Sequence, residues 1–297
     1  MRALLTGAAG QVGSEITQCL LQNGIETIAA TSSDLDITKR DNVIAAICDT
    51  KCDVVINAAA YTAVDRAQTE QEKAFDINVR GCEYLAKGCA MASIPLIHLS
   101  TDYVFSLPGL MPHCETDRAS PNGVYAKTKY EGERRVLGFN QRSIVLRCSW
   151  VFGRYGSNFV KTMLRLGMVN DKLSVVCDQM GSPTPARAIA STVVEIAKII
   201  CTDKSFNDYG IYHYAGAPYT TWDEFARVIF KKSLELGYID HEVAVKSIKS
   251  HEYKFAIDRP LDSRLDCSLI KKIFNIDMPL WDQYLDETLE AQYKAMT

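Results

Sequence analysis

Gly7, Gly10 and Gly13 stand between an apolar run, Arg2 to Leu5, and an amphipathic stretch that stops at Asn23-Gly24. A spacing of G-x-x-G-x-x-G at a strand-to-helix junction lets the backbone turn tightly. It also brings the helix N-terminus close to a pyrophosphate, whose charge the exposed N–H groups stabilise. Because this junction is the first in the chain, a dinucleotide-binding fold is the architecture it most restricts the chain to.

The pattern downstream agrees. Strand-like runs at Glu26–Ala30, Asp53–Asn57, Pro95–Ser100 and Ser143–Cys148 alternate with helical segments: one after Lys39, one over Glu72–Met91 and one after Pro121. Such β-α-β alternation with long crossovers predicts an α/β fold with a doubly wound parallel sheet. The regular alternation loosens near residue 152. Residues 1–152 are therefore expected to form the Rossmann domain. Residues 153–297 are expected to form mainly a smaller substrate-binding lobe, with segments returning to the sheet. Helices are predicted at Phe159–Leu166, Ala186–Ile200, Trp222–Leu236, Asp266–Phe274 and Trp281–Tyr293, and short strands at Leu173–Val176 and Ile211–Tyr214.

The chain has 297 residues and a net charge of −3, which gives no reason to expect a nucleic-acid partner. No apolar run reaches the roughly 20 residues that span a membrane, and because Met1–Gly7 reads as the start of a strand and a glycine turn, no signal peptide is expected. The ten cysteines are scattered and lack zinc-ligand spacing, so free thiols in a reducing cytoplasm are expected.

Chemistry enters at Tyr125 and Lys129, four residues apart on one helix face, where Cβ atoms lie about 5–6 Å apart. An ammonium there is expected to lower the phenol from its ordinary pKa of about 10 and make it a proton donor near neutral pH. Lys127 points to another face, and Arg134, four residues beyond Tyr130, is a poor substitute for an ammonium. Strand two ends in Thr31-Ser32-Ser33 with no acid at its tip, although Asp34 and Asp36 follow. An acid there would repel a 2′-phosphate, so NADPH, or dual use with NADH, is expected over strict NADH use. The small residues Ala58, Ala59 and Ala60 after Asn57 allow cofactor to approach the backbone.

Together these residues resemble the extended short-chain dehydrogenase/reductases. The resemblance is carried by Thr6–Gly13, Asn57–Ala60, Ser100-Thr101-Asp102-Tyr103-Val104-Phe105 and Tyr125–Lys129. Further segments are similar to the dTDP-4-dehydrorhamnose reductase family over nearly the whole length. These are Tyr61–Asp65, Ser149–Gly153 with Asn158–Met163, Asp178-Gln179-x-Gly181-x-Pro183-Thr184, and Arg259-Pro260-x-x-Ser263. The resemblance implies hydride transfer from NAD(P)H to the C4 ketone of dTDP-4-dehydro-L-rhamnose. Thr101, Tyr125 and Lys129 would be catalytic. Gly7, Gly10, Gln11, Val12, Gly13, Asp36, Ile37 and Ala58–Ala60 would hold the dinucleotide with Tyr125 and Lys129. Val64, Ser100, Thr101, Asp102, Trp150 and Asn158 would hold the nucleotide sugar.

Two other readings come from the same resemblance. One is a reductase of a related deoxysugar; the other is a cofactor-binding regulatory subunit of methionine adenosyltransferase, which would not need the intact Thr101/Tyr125/Lys129 set. A homodimer is left open. Some relatives bridge dimers with Mg²⁺ through acidic residues, but Ala186-Arg187-Ala188 supplies no carboxylate, so no metal is expected and Glu15 is read as a solvated helix residue. The chain also departs from the family after Phe105, where Ser106-Leu107-Pro108-Gly109 replaces the usual Asp/Asn-Gly, and a different flap is expected.

Overall fold

The computed structural model describes residues 1–107, 111–254 and 256–296. In chain order the first half runs β1 (Arg2–Thr6), α1 (Gln11–Gln22), β2 (Glu26–Ala30), α2 (Arg40–Thr50), β3 (Val54–Asn57), α3 (Gln71–Phe75), α4 (Cys82–Ala92), β4 (Leu96–Thr101), α5 (Gly123–Phe139) and β5 (Ser143–Cys148). It continues with β6 (Val151–Phe152), α6 (Phe159–Gly167), β7 (Lys172–Val176), β8 (Met180–Gly181), β9 (Thr184–Pro185) and α7 (Ala186–Thr202). Then follow β10 (Gly210–His213), β11 (Thr220–Thr221), α8 (Trp222–Glu235), β12 (Ala244–Ile248), α9 (Ser268–Phe274) and α10 (Leu285–Lys294).

Six strands form one parallel sheet in the order β10-β5-β4-β3-β1-β2. The doubly wound expectation is met, and β10 comes into this sheet from the C-terminal half, beside β5. Strand alternation sorts the core into two layers. Ala3, Leu5, Val54, Ile56, Ile144 and Leu146 pack with Ile16, Leu20 and Val193 on one face. Leu4, Val55 and Val145, one residue out of step, pack with Val43, Ile47 and Leu85 on the other. A period of two on a sheet covered on both sides explains why these strands are apolar throughout. Strand order reverses between β1 and β3, and ligands of such sheets bind outside the carboxyl ends at that reversal.

A third cluster, with Phe152, Val160, Leu164, Phe225, Ile229, Trp281 and Leu285, joins β6, α6, α8 and α10. Around it lie three small pairings, β12 with β7, β11 with β8 and β6 with β9. The two-residue strands among these have no periodicity to reveal them in the sequence.

The structure alters two predicted helices. Glu72–Met91 is not one α-helix: a π-helical turn, Asp76–Gly81, separates α3 from α4. Buried Asn78 lies in that turn. Its Oδ1 accepts from Tyr61 N at 2.8 Å, and its Nδ2 donates to Tyr61 O and to Thr128 Oγ1, each at 3.1 Å. These bonds hold the widened turn against α5. Trp281–Tyr293 begins as a 3₁₀ turn, Trp281–Tyr284, before α10. Of the segment expected to form a different flap, Pro108 and Gly109 lie outside the described residues. Among the described residues no helix is long and apolar enough to cross a membrane.

Candidate active site

A cleft of about 760 Å³ opens at the carboxyl ends of β1, β3, β4 and β5. One wall comes from the turn after β1. Gly7 adopts a φ of +73°, and a Cβ there would lie 2.5 Å from Ala59 N; a Cβ on Gly13 would lie 2.1 Å from Gly7 O. Gly7 and Gly13 thus pack the turn against the end of β3 and against itself, while Gly10, Gln11 and Val12 line the cleft. Gly10 caps α1 without a side-chain hydrogen bond, and the first turn carries no acid, so no side chain of the helix neutralises its N-terminus.

Ala58, Ala60 and Val64 line the cleft from the β3 side, whereas Ala59 packs into the second core layer. Asp36 and Ile37 are not brought into this cleft. Ile37 is buried in that same layer, and Asp36 borders a separate depression with Gln71, Asp76 and Ile77. The β2 tip also differs from its sequence reading. Asp34 folds back and accepts from Thr31 N at 2.9 Å and Thr31 Oγ1 at 2.6 Å, which sets a carboxylate at the tip. Those two bonds lower its pKa.

The cleft floor is made by Ser100, Thr101 and Asp102 at the end of β4 and by Tyr125 and Lys129 on α5. Tyr125 sits in the first turn of α5 and lines the same floor as Thr101, whose hydroxyl is near enough to oppose the rise of its phenol pKa. Thr101 Oγ1 donates to Asp102 Oδ1 at 3.0 Å and accepts from Tyr103 N at 3.2 Å. The Tyr103 ring meets the Tyr125 ring edge-on at 5.5 Å. Ser100 Oγ donates to Glu133, whose carboxylate also takes a bidentate pair from Arg147 at 2.9 and 2.6 Å. Of the rival positions, Lys127 is exposed, and Arg134 pairs with Glu131 at 3.6 Å.

The far wall is aromatic. Trp150, with a φ of +43°, stacks on Trp222 with ring centroids 3.5 Å apart and planes 10° apart. Phe159 leans on Trp222 at 4.5 Å. Trp222 opens α8 under a capping box in which Thr221 and Glu224 satisfy each other's backbone N–H groups. Asn158 also lines the cleft, but its side chain is engaged: Oδ1 caps α6 at Lys161 N, 3.1 Å, and Nδ2 donates to Gln11 Oε1 at 2.7 Å. Gln11 Nε2 donates to Val151 O at 3.1 Å, so the pair ties the glycine turn to the aromatic wall.

Residues 1–294 match the family model described as the RmlD substrate binding domain. The chain is 42% identical to the dTDP-4-dehydrorhamnose reductase of Aggregatibacter actinomycetemcomitans, covering 96% of this chain and 97% of that one. The chain belongs to the dTDP-4-dehydrorhamnose reductase family.

Solved structures agree with this membership. A dTDP-4-dehydrorhamnose reductase from Clostridium acetobutylicum superposes with a TM-score of 0.89 at 33% identity, covering 98% of this chain and 99% of that one. The enzyme of that name from Bacillus anthracis, in complex with NADP, gives 0.87 at 31% identity over 100% and 99%. In this family member, the uncapped first turn of α1 and the small residues after β3 form a cradle that fits a dinucleotide pyrophosphate.

Two expectations are corrected by the geometry of this reductase-family chain. Tyr125 is not made more acidic here. Burial drives its phenol up, Asp102 and Tyr103 add to the rise, and only the Thr101 hydroxyl opposes it. Lys129 instead gives an N–H to Leu99 O at 2.7 Å, and burial lowers its own pKa. Helix spacing put the two residues on one face, but it could not say which acceptor the ammonium would choose.

Glu15 is not solvated. It is 3% exposed and held by Arg154 Nε and Nη2 at 3.1 and 2.7 Å. The loop after β6 lays Arg154 over α1, a contact no local pattern reports. Arg187 pairs with Glu287 at 2.7 Å, and among the described residues no group of three or more His, Cys, Asp or Glu side chains is placed to hold a metal ion.

Sequence reasoning missed Trp222, Asn78, and the buried Glu133–Arg147 pair. Only Trp222 had a usable signal, the Thr221-x-x-Glu224 box that fixes where α8 starts.

Proposed function

We propose that this chain reduces the C4 ketone of dTDP-4-dehydro-L-rhamnose to give dTDP-L-rhamnose, using NADPH or NADH. The observation that carries the reading is that Thr101, Tyr125 and Lys129 line one cleft floor, with Lys129 one turn of α5 beyond Tyr125. The first turn of α1, Ala58 and Ala60 would hold the dinucleotide, with Lys129 at its nicotinamide ribose. When bound, that cofactor supplies the hydride.

The chain's own residues do the rest. Thr101 orients the carbonyl oxygen, and Tyr125 delivers its phenolic proton as negative charge develops there. An alkoxide is far more basic than a phenolate, so the transfer runs downhill even from a phenol whose pKa burial has raised. The raised value keeps Tyr125 protonated at neutral pH, which is the form a reductase needs.

Trp150 and Trp222 would hold the nucleotide sugar against the floor. On this reading residues 1–152 carry the dinucleotide, and most of 153–297 carry the sugar. The ten cysteines, all free, suit a reducing cytoplasm. The intact hydroxyl pair favours catalysis over a regulatory role, since a binding subunit needs no proton donor.

The test is turnover of dTDP-4-dehydrorhamnose with NADPH and NADH, with product configuration read by NMR. Tyr125→Phe is expected to lower kcat by about 10²–10⁴. Equal rates for the two proteins would refute the mechanism.

A further inference from the structure

His98 lies in β4 directly beneath Lys129 and is 0% exposed. Its protonation pattern follows from a chain of donors that begins at the backbone. Ala59 N donates to Asn57 Oδ1 at 3.0 Å, and the Thr6 hydroxyl donates to the same oxygen at 2.8 Å. A backbone N–H can only donate, so the Asn57 amide cannot be turned over. Its Nδ2 therefore faces His98 Nδ1, 3.0 Å away. An amide nitrogen only donates, so Nδ1 must accept, and the neutral imidazole carries its proton on Nε2.

That Nε2–H edge faces Lys129 Nζ at 3.5 Å and Cys82 Sγ at 4.0 Å. An ammonium has three N–H donors and no acceptor. The His98–Lys129 contact thus sets donor against donor. One Lys129 N–H is taken by Leu99 O at 2.7 Å, and the other two find no acceptor on the His98 side.

We propose that His98, pinned by Asn57 in its Nε2–H form, is a positioning residue for Lys129: it closes the inner side of the ammonium and turns two N–H groups toward the cleft. The proposal rests on the reading of Lys129 as the ligand of the dinucleotide ribose.

The other titratable groups facing Lys129 offer no rival acceptor. Cys82 on α4 and Cys148 on β5 are kept as thiols by burial, which pushes Cys82 up to about 11 and Cys148 well above its ordinary value. Glu133 on α5 is occupied by Arg147 and Ser100. Burial and the Lys129 charge hold His98 far below its usual pKa, so it stays neutral.

The experiment uses the ¹⁵N-labelled full chain. Imidazole ¹H–¹⁵N correlations, with His98 assigned by its loss in His98→Gln, are expected to show the Nε2–H tautomer without titration between about pH 5 and 8. Side-chain ¹³Cε shifts of Lys129, assigned with Lys129→Met, then follow its titration in wild type and His98→Leu. Removing the opposing donor is expected to raise the proton affinity of Lys129 about tenfold, or one pKa unit, and to weaken NADPH binding measured by direct titration.

An Nδ1–H tautomer, or an imidazole that titrates in that range, would overturn the proposal. So would an unmoved Lys129 titration in folded His98→Leu. The wild-type tautomer decides the matter even if the variants do not fold. None of these readouts needs turnover of a sugar, so loss of the reductase reading would show separately, as absent activity.

Discussion

Gly181 is the position where a single methyl group should separate sugar handling from dinucleotide handling. It lies in β8, and a Cβ there would sit 2.3 Å from Trp150 Cε2, 2.5 Å from Cζ2 and 2.7 Å from Nε1. Ordinary van der Waals contact starts at 3.4 Å, so the indole must retreat by about 1 Å. The retreat is poorly tolerated, because the ring is already stacked on Trp222 at 3.5 Å and its backbone is in the left-handed region. Gly181 itself has no unusual φ, so Gly181→Ala adds bulk without backbone strain.

A misplacement of about 1 Å at a substrate-positioning group lowers catalysis about 10²-fold, in line with an overpacking cost of about 1–3 kcal/mol. Steady-state kinetics with the sugar varied should therefore show kcat/KM for dTDP-4-dehydrorhamnose down about 10²-fold. The Kd for NADPH should stay near the wild-type value, since the glycine turn is untouched. Indole fluorescence would report the displaced stack directly. A variant whose fluorescence changes while kcat/KM stays at the wild-type level would refute the assignment of Trp150 to the sugar.

Asp102 makes a stability prediction with a definite sign. Burial raises its carboxyl from 3.8 to about 6, against the hydrogen bonds from Ser263 and Thr101. Between those values the unfolded chain has released a proton that the folded one retains, so stability falls as pH rises through this window, by about 3 kcal/mol in all. Asp102→Asn, which has nothing to ionise, should be more stable than wild type at pH 7 and close to it below about pH 4. Denaturant midpoints at the two pH values check this; a variant less stable at neutral pH would contradict it. The Glu15–Arg154 and Arg187–Glu287 pairs predict that a chelator leaves turnover and oligomeric state unchanged. Loss of activity on EDTA treatment, restored by Mg²⁺, would refute that expectation.

Legibility in the sequence followed the range of the interaction. The strand-to-helix junction at Gly7–Gly13 and the apolar runs of β3, β4 and β5 were readable because strand periodicity and turn chemistry are local. The Tyr125/Lys129 face was readable for the same reason. Glu15 was misread because its partner, Arg154, is 139 residues away. The split of Glu72–Met91 was unreadable because Asn78 takes its partners from Tyr61 and from Thr128 on α5.

The sequence by itself determined the doubly wound sheet, the glycine turn after β1 and the helix face shared by Tyr125 and Lys129. Each of these depends on residue type at short, regular spacing. Only the tertiary structure decided that burial raises the Tyr125 phenol, that Lys129 turns to Leu99 and faces His98, and that Trp222 completes the wall begun by Trp150. Acidity, donor direction and cleft shape depend on which distant groups share a buried volume, and that is settled when the strand ends and the C-terminal helices pack together.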